Sequence, residues 1–192
     1  MSDMIIYDIM DLGPVRRYVE EHGEKKYFRR GEMFCRRDCR AVYVGLVMNG
    51  AFGFSRSDYR GHEQIYSLAL PNDIVSAFIA RQPGFMSEFD IRALCPSEIM
   101  AVPMSDLIEH LERERPGYLH RLTESIAYGL MMRGFSFRCD SPEERYRELL
   151  SRLPRLHVHL TMTDTASYLG LSREAFARLR ARIRDAEKKS QP

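Results

Sequence analysis

Around Pro103 the hydrophobic period of this chain changes from two to 3.6, and that switch divides what it can fold into. Before it, short extended runs alternate with turn residues. The runs are Lys26–Phe28, Val42–Met48, Ala51–Ser55, Gln64–Leu70, Ile91–Leu94 and Glu98–Val102. Arg30-Gly31-Glu32, Asn49-Gly50, Ser57-Asp58-Tyr59-Arg60-Gly61 and Pro71-Asn72-Asp73 punctuate them, and Asn49-Gly50 reads as a hairpin turn. Strands with turns about every ten residues predict an antiparallel sandwich or barrel. Beyond Pro103 the patterns are helical. Ser105 is placed to cap a short helix through Leu111, and Pro116 to open a longer one to about Phe137. Ser141-Pro142-Glu143-Glu144 combines a cap, a proline at the first helical position and an acid at the third, for a helix that stops at Pro154. The expected class is α+β.

The end of the chain carries the functional signal. Thr161-Met162-Thr163-Asp164 is a second capping box, followed by a short helix to Leu169, then Gly170, then a last helix from Ser172 to about Arg184. A helix-turn-helix needs a small residue where its helices touch, and Ala166 supplies it. It needs a residue that tolerates positive φ at the turn, which is Gly170. Phe176 and Leu179 are spaced to pack on Leu169 and Leu171. Ser172 then caps the second helix and leaves Arg173, Glu174 and Arg178 pointing outward. Arginine donates two bonds to guanine O6 and N7, and glutamate accepts from cytosine N4. The competing reading is an exposed Glu–Arg pair one turn apart, worth a few tenths of a kcal/mol. Charge suits phosphate contacts and equally a solvated helix end. The chain as a whole is only +2, whereas the segment from Arg173 onward has seven basic residues against three acidic ones. Arg182 and Lys188 there are expected near phosphates or solvent.

The longer helix carries the stripe Leu119, Leu122, Ile126, Gly129 and Arg133 at near-heptad spacing. That pattern predicts a helix shared with a second copy; packing on the chain's own barrel is the alternative. No apolar run approaches a membrane span and no leader pattern opens the chain, so a cytoplasmic protein without a membrane partner is expected. Cys35, Cys39, Cys95 and Cys139 are then reduced thiols. They form no compact Cys-x-x-Cys cluster, and His157-Val158-His159 would put two rings on one side of a strand, so neither metal nor other cofactor is expected. No nucleophile elbow, Walker loop or dinucleotide fingerprint is present, which argues against an enzyme.

Over nearly its whole length the chain resembles the Crp/Fnr family of transcription regulators. The resemblance rests on Arg30-Gly31-Glu32, Val47-Met48-Asn49-Gly50-Ala51-Phe52, Arg60-Gly61-His62-Glu63 and Leu70-Pro71-Asn72-Asp73-Ile74. It rests further on Ser141-Pro142-Glu143-Glu144-Arg145-Tyr146 and Leu169-Gly170-Leu171-Ser172-Arg173-Glu174. It implies an N-terminal antiparallel β-roll, jelly-roll-like, with short flanking helices over residues 1–115. A long dimerisation helix over 116–138 and a small all-α helix-turn-helix unit over 139–192 follow. It implies a homodimer that binds DNA as an inverted repeat, with Arg173, Glu174 and Arg178 reading a TGTGA-type half-site, and RNA polymerase as a further partner if the protein activates. The alternative is an effector-binding or protein-interaction module whose shortened C-terminal unit no longer reads DNA.

Three departures qualify the resemblance. The chain ends eight residues after Arg184, which leaves no room for the β-hairpin wing of most members and points to a short, wingless branch. Thr165 stands where the family usually buries isoleucine, so a loosely packed small unit is expected. Cyclic-nucleotide members carry Gly-Glu and then Arg-Ser-Ala on a phosphate-binding helix, but here Met86 takes the arginine's place and only Ser87 matches. Arg81 is the sole nearby cation. The expected effector is therefore an unidentified small molecule other than cyclic AMP. Phe78, Arg81, Phe85, Met86 and Ser87 are the candidate pocket residues, although the preferred reading of the aromatic side chains here is that they fill the roll.

Overall fold

The computed structural model describes residues 11–78 and 84–190. The first element among the described residues, α1 (Gly13–His22), has Pro14 in its first turn, and buries Val15 and Val19 one helical turn apart. Eight strands follow among the described residues: β1 (Glu24–Phe28), β2 (Met33–Cys35), β3 (Tyr43–Asn49), β4 (Phe52–Ser57), β5 (Glu63–Ala69), β6 (Ile74–Val75), β7 (Asp90–Ala93) and β8 (Ser97–Pro103). They form two antiparallel sheets, ordered β1-β8-β3-β6 and β2-β7-β4-β5. Phe52, Val47, Val75, Ile91 and Ile99 fill the space between them. This is the expected α+β roll.

One turn works differently from the sequence expectation. Asn49-Gly50 does not close a hairpin, because β3 and β4 belong to different sheets. The chain crosses from one sheet to the other there. Gly50 has φ +95, and a Cβ on it would lie 2.1 Å from the Ser97 Oγ, so the corner admits only glycine. The two-residue signal reports positive φ correctly, but strand pairing is decided by distant partners. Asp58-Tyr59-Arg60-Gly61 does close a hairpin between β4 and β5, with the Asp58 carboxylate accepting from the backbone of Arg60 and His62.

The helices that follow are α2 (Met104–Glu114), α3 (Tyr118–Cys139), α4 (Pro142–Arg152), α5 (Leu156–His159), α6 (Met162–Tyr168) and α7 (Arg173–Ser190). Ser105 is not a cap: α2 begins one residue earlier, Pro103 occupies the cap position, and the Ser105 hydroxyl bonds Asp106. Pro116 precedes α3, whose entry is set by Gly117 at φ +78. Both capping boxes form as expected, at Ser141–Glu144 and Thr161–Asp164. His157-Val158-His159 lies in the single turn α5 and not in a strand. Among the described residues no helix is long and apolar enough to cross a membrane.

Candidate nucleic-acid interface and effector cavity

The two helices α6 and α7 are built from the C-terminal motif. In α6, Thr161 accepts from Asp164 N and the Asp164 carboxylate accepts from Thr161 N and its hydroxyl. Thr165 is buried, yet its hydroxyl donates to Thr161 O at 2.9 Å, so it leaves no unsatisfied group in the small core. Gly170 has φ +69, and Leu171 N returns to Ala166 O to close the turn. The Ser172 Oγ accepts from Ala175 N at 3.1 Å and caps α7. Phe176, Leu179 and Ile183 are buried on one side of α7, with the Phe176 ring edge-on to Tyr146 of α4. That fixes the other side outward: Ser172, Arg173, Glu174, Arg178 and Arg182 are all exposed. Glu174 is held below the usual carboxylate range by its own backbone N–H, the Ser172 hydroxyl and the Arg173 and Arg178 charges. At neutral pH it is an acceptor flanked by two donors. Arg182 lies lower on the helix and reaches Glu143 at 3.4 Å.

The roll holds this helical unit in place. Ile65 N in β5 donates to the Ser167 Oγ at 2.8 Å, and that hydroxyl donates to Glu63 O. Arg30 spans Leu94 O and the Asp164 carboxylate, which is 2.9 Å away. Asp164 is buried, which raises its pKa, but the Thr161 hydroxyl and Arg30 outweigh burial and hold the carboxyl below its ordinary range. A continuous apolar cluster joins Ile65, Leu68, Leu70 and Leu94 of the roll to Leu149, Leu153, Leu169 and Phe176.

A cavity of about 200 Å³ lies where the roll, α3 and the helical unit meet. Phe54, Tyr66, Ile74, Phe78 and Phe89 of the roll, Ile126 and Arg133 of α3, and Tyr168 of α6 are among its walls. Arg133 lies over the Tyr168 ring and the Phe137 ring, donates to the Tyr168 hydroxyl at 2.8 Å, and donates to Tyr66 O.

Solved structures share this arrangement. The chain superposes on FixK2 from Bradyrhizobium japonicum with a TM-score of 0.71 at 19% identity, over 86% of each chain. On a protein from Eubacterium rectale described as a transcriptional regulator of the Crp/Fnr family, it gives 0.61 at 13% identity, over 94% of this chain and 87% of that one. On the Catabolite Activator Protein of Thermus thermophilus it gives 0.53 at 18% identity, over 95% and 87%. The chain has a Crp/Fnr-like fold. By sequence it matches no family model and no curated protein.

Within the Crp/Fnr-like fold the residues of the expected stripe and pocket have the following surroundings. Leu119, Leu122 and Gly129 of the proposed partner stripe are buried, and Ile126 and Arg133 are half-buried, against the chain's own roll. Near-heptad spacing identifies a buried face without saying what buries it. The apolar residues that α3 of this Crp/Fnr-like chain leaves exposed at helical spacing are Tyr128, Met131, Met132 and Phe135. Of the expected pocket residues that are described, Phe78 lines the cavity and Phe85, Met86 and Ser87 do not. Phe85 and Met86 are half exposed, and Ser87 is buried because its hydroxyl donates to Phe89 O and its N–H to Cys39 O. Arg81 lies outside the described residues. Ser76, Arg133 and Tyr168 bring polar atoms to the cavity wall. No local motif marks them, since what unites them is contact across more than thirty residues.

Proposed function

We propose that the protein is a sequence-specific DNA-binding transcription regulator, homodimeric, with α7 as the reading helix and no enzymatic activity. The observation that carries this reading is the sorting of α7: Phe176, Leu179 and Ile183 inside, and Ser172, Arg173, Glu174, Arg178 and Arg182 outside. The first turn of such a helix meets base edges in the major groove, where Arg173 and Arg178 suit guanine and Glu174 suits cytosine. The Crp/Fnr-like fold supports the reading, because the similar Eubacterium rectale protein is described as a transcriptional regulator. The second copy docks on the exposed face Tyr128, Met131, Met132 and Phe135 of α3, which replaces the buried stripe. Two reading helices about 34–36 Å apart enter successive major grooves, so the operator is an inverted repeat. RNA polymerase is a partner if the protein activates. A small-molecule effector other than cyclic AMP occupies the cavity between roll and helices. Selection of bound sequences from a random duplex pool tests the reading. Recovery of an inverted repeat with G·C-containing half-sites is expected, and recovery of unenriched sequence refutes it.

A further inference from the structure

The cavity carries an unusual pair of polar groups. Its walls are chiefly aromatic and aliphatic, yet the Arg133 Nη2 and the Ser76 Oγ are buried there without a hydrogen-bond partner among the described residues. A buried donor left unmatched costs more than the bond would have gained. Arg133 makes the mismatch sharper. Its other bonds go to a carbonyl and a phenol, and its faces lie on two rings, so no carboxylate among the described residues pairs with it. The nearby Arg152 is different, because Asp73 pairs with it at 2.9 Å. Glu148, exposed at the outer side of α4, also belongs to the lining, so the site is a largely apolar chamber in which the buried Arg133 Nη2 has no acceptor among the described residues.

We propose that this chamber binds a small amphipathic monocarboxylate. Its carboxylate accepts from the Arg133 Nη2, the Ser76 hydroxyl is a second polar anchor, and the apolar body lies among Phe54, Phe78 and Phe89. Carboxylate and guanidinium match in shape and charge, and a carboxylate supplies the missing acceptor. Size narrows the class. A cavity of about 150 Å³ takes a benzene molecule, so one of about 200 Å³ takes roughly eight to ten non-hydrogen atoms. A cyclic nucleotide is larger, and its ribose hydroxyls would face phenyl rings without partners. The position gives the ligand leverage. Arg133 holds the Tyr168 hydroxyl, and Tyr168 belongs to α6, which packs directly under the reading helix. A ligand on Arg133 thus touches the roll, α3 and the helical unit at once, and by linkage changes DNA affinity as DNA changes its own.

This inference deepens the effector reading above and rests on it, but its test needs no DNA. Octanoate, octanamide and cyclic AMP are titrated against the full chain by calorimetry and thermal melting. Octanoate should bind roughly tenfold to a hundredfold more tightly than its neutral amide, the margin of a charge-assisted bond, and cyclic AMP should not raise the melting temperature. In Arg133→Met that preference should fall to near one. Because Arg133 also braces Tyr66 and Tyr168, a second variant is needed: Ile126→Trp should fold, fill the chamber and abolish octanoate binding. Equal binding of octanoate and octanamide, or octanoate binding unchanged in Ile126→Trp, overturns the proposal. So does the absence of octanoate binding at millimolar concentration. A duplex shift assay on the same samples reports separately on the DNA reading.

Discussion

At the scale of single residues, α7 separates base reading from simple charge. Arg178 stands one turn beyond Glu174 on the exposed face, whereas Arg182 is drawn toward Glu143. Arg178→Ala should cost roughly 1–3 kcal/mol on a selected duplex and little on a scrambled one. Arg182→Ala should weaken both alike and reduce the salt dependence. Equal losses for both variants on both duplexes, measured by fluorescence anisotropy, would show that the assigned face is wrong. Asp164 allows a test of docking. Its carboxyl is held below the usual range in the folded chain, so the stabilisation is present above the ordinary carboxylate pKa and disappears as pH falls through the lowered one. Asp164→Asn should destabilise by about 1–3 kcal/mol at pH 7, and the gap to wild type in urea melts should narrow as pH falls below the ordinary carboxylate range. A gap independent of pH throughout the acid range would assign the effect to packing alone.

At the scale of elements, α3 shows what periodicity says and omits. Its apolar stripe is legible from spacing, but what covers that stripe is decided by α1, α2 and β3. The same limit explains Asn49-Gly50, where a local signal for positive φ could not name β8 and β6 as the neighbours of β3. It explains Phe85 and Met86 as well, since a residue's class does not reveal which way a loop turns. What was legible depended on contacts within a few residues: both capping boxes, the glycine turn and the outward set Arg173, Glu174 and Arg178. Arg30 and Arg133 were legible only as parts of a turn and a stripe, because their partners Asp164 and Tyr66 are far along the chain. For α3 the structure makes a clear prediction. Phe135→Glu, at a side chain 52% exposed, should leave the fold intact and give a monomer in sedimentation. Leu119→Glu, at a buried position, should unfold the chain instead. A Phe135→Glu dimer would move the interface elsewhere.

At the scale of the whole molecule, the roll and the helical unit share one apolar cluster, reinforced by Arg30–Asp164 and Arg152–Asp73. Such continuity couples their melting. Calorimetry should give a single transition whose calorimetric and van't Hoff enthalpies agree, and two resolved peaks would show that the units melt apart. A ligand or duplex that shifts one unit is then felt by the other, which is the property a regulator needs.

The pairing of β1 with β8 sets Glu24 opposite Ala101, so the first strand finds its neighbour only after most of the roll has been made. On a ribosome adding about 5–20 residues per second, that wait is on the order of 4–15 seconds. Throughout it, β1 is an open edge on a nascent chain. Its sequence is suited to the delay: Glu24, Lys25 and Lys26 open the strand, and Lys25 meets Glu98 at 3.0 Å only once β8 arrives. Charges at an unpaired edge discourage the wrong chain from adding to it. In the finished sheet β1 is still the outermost strand, so the same lysines guard an edge first on the nascent chain and then on the folded one.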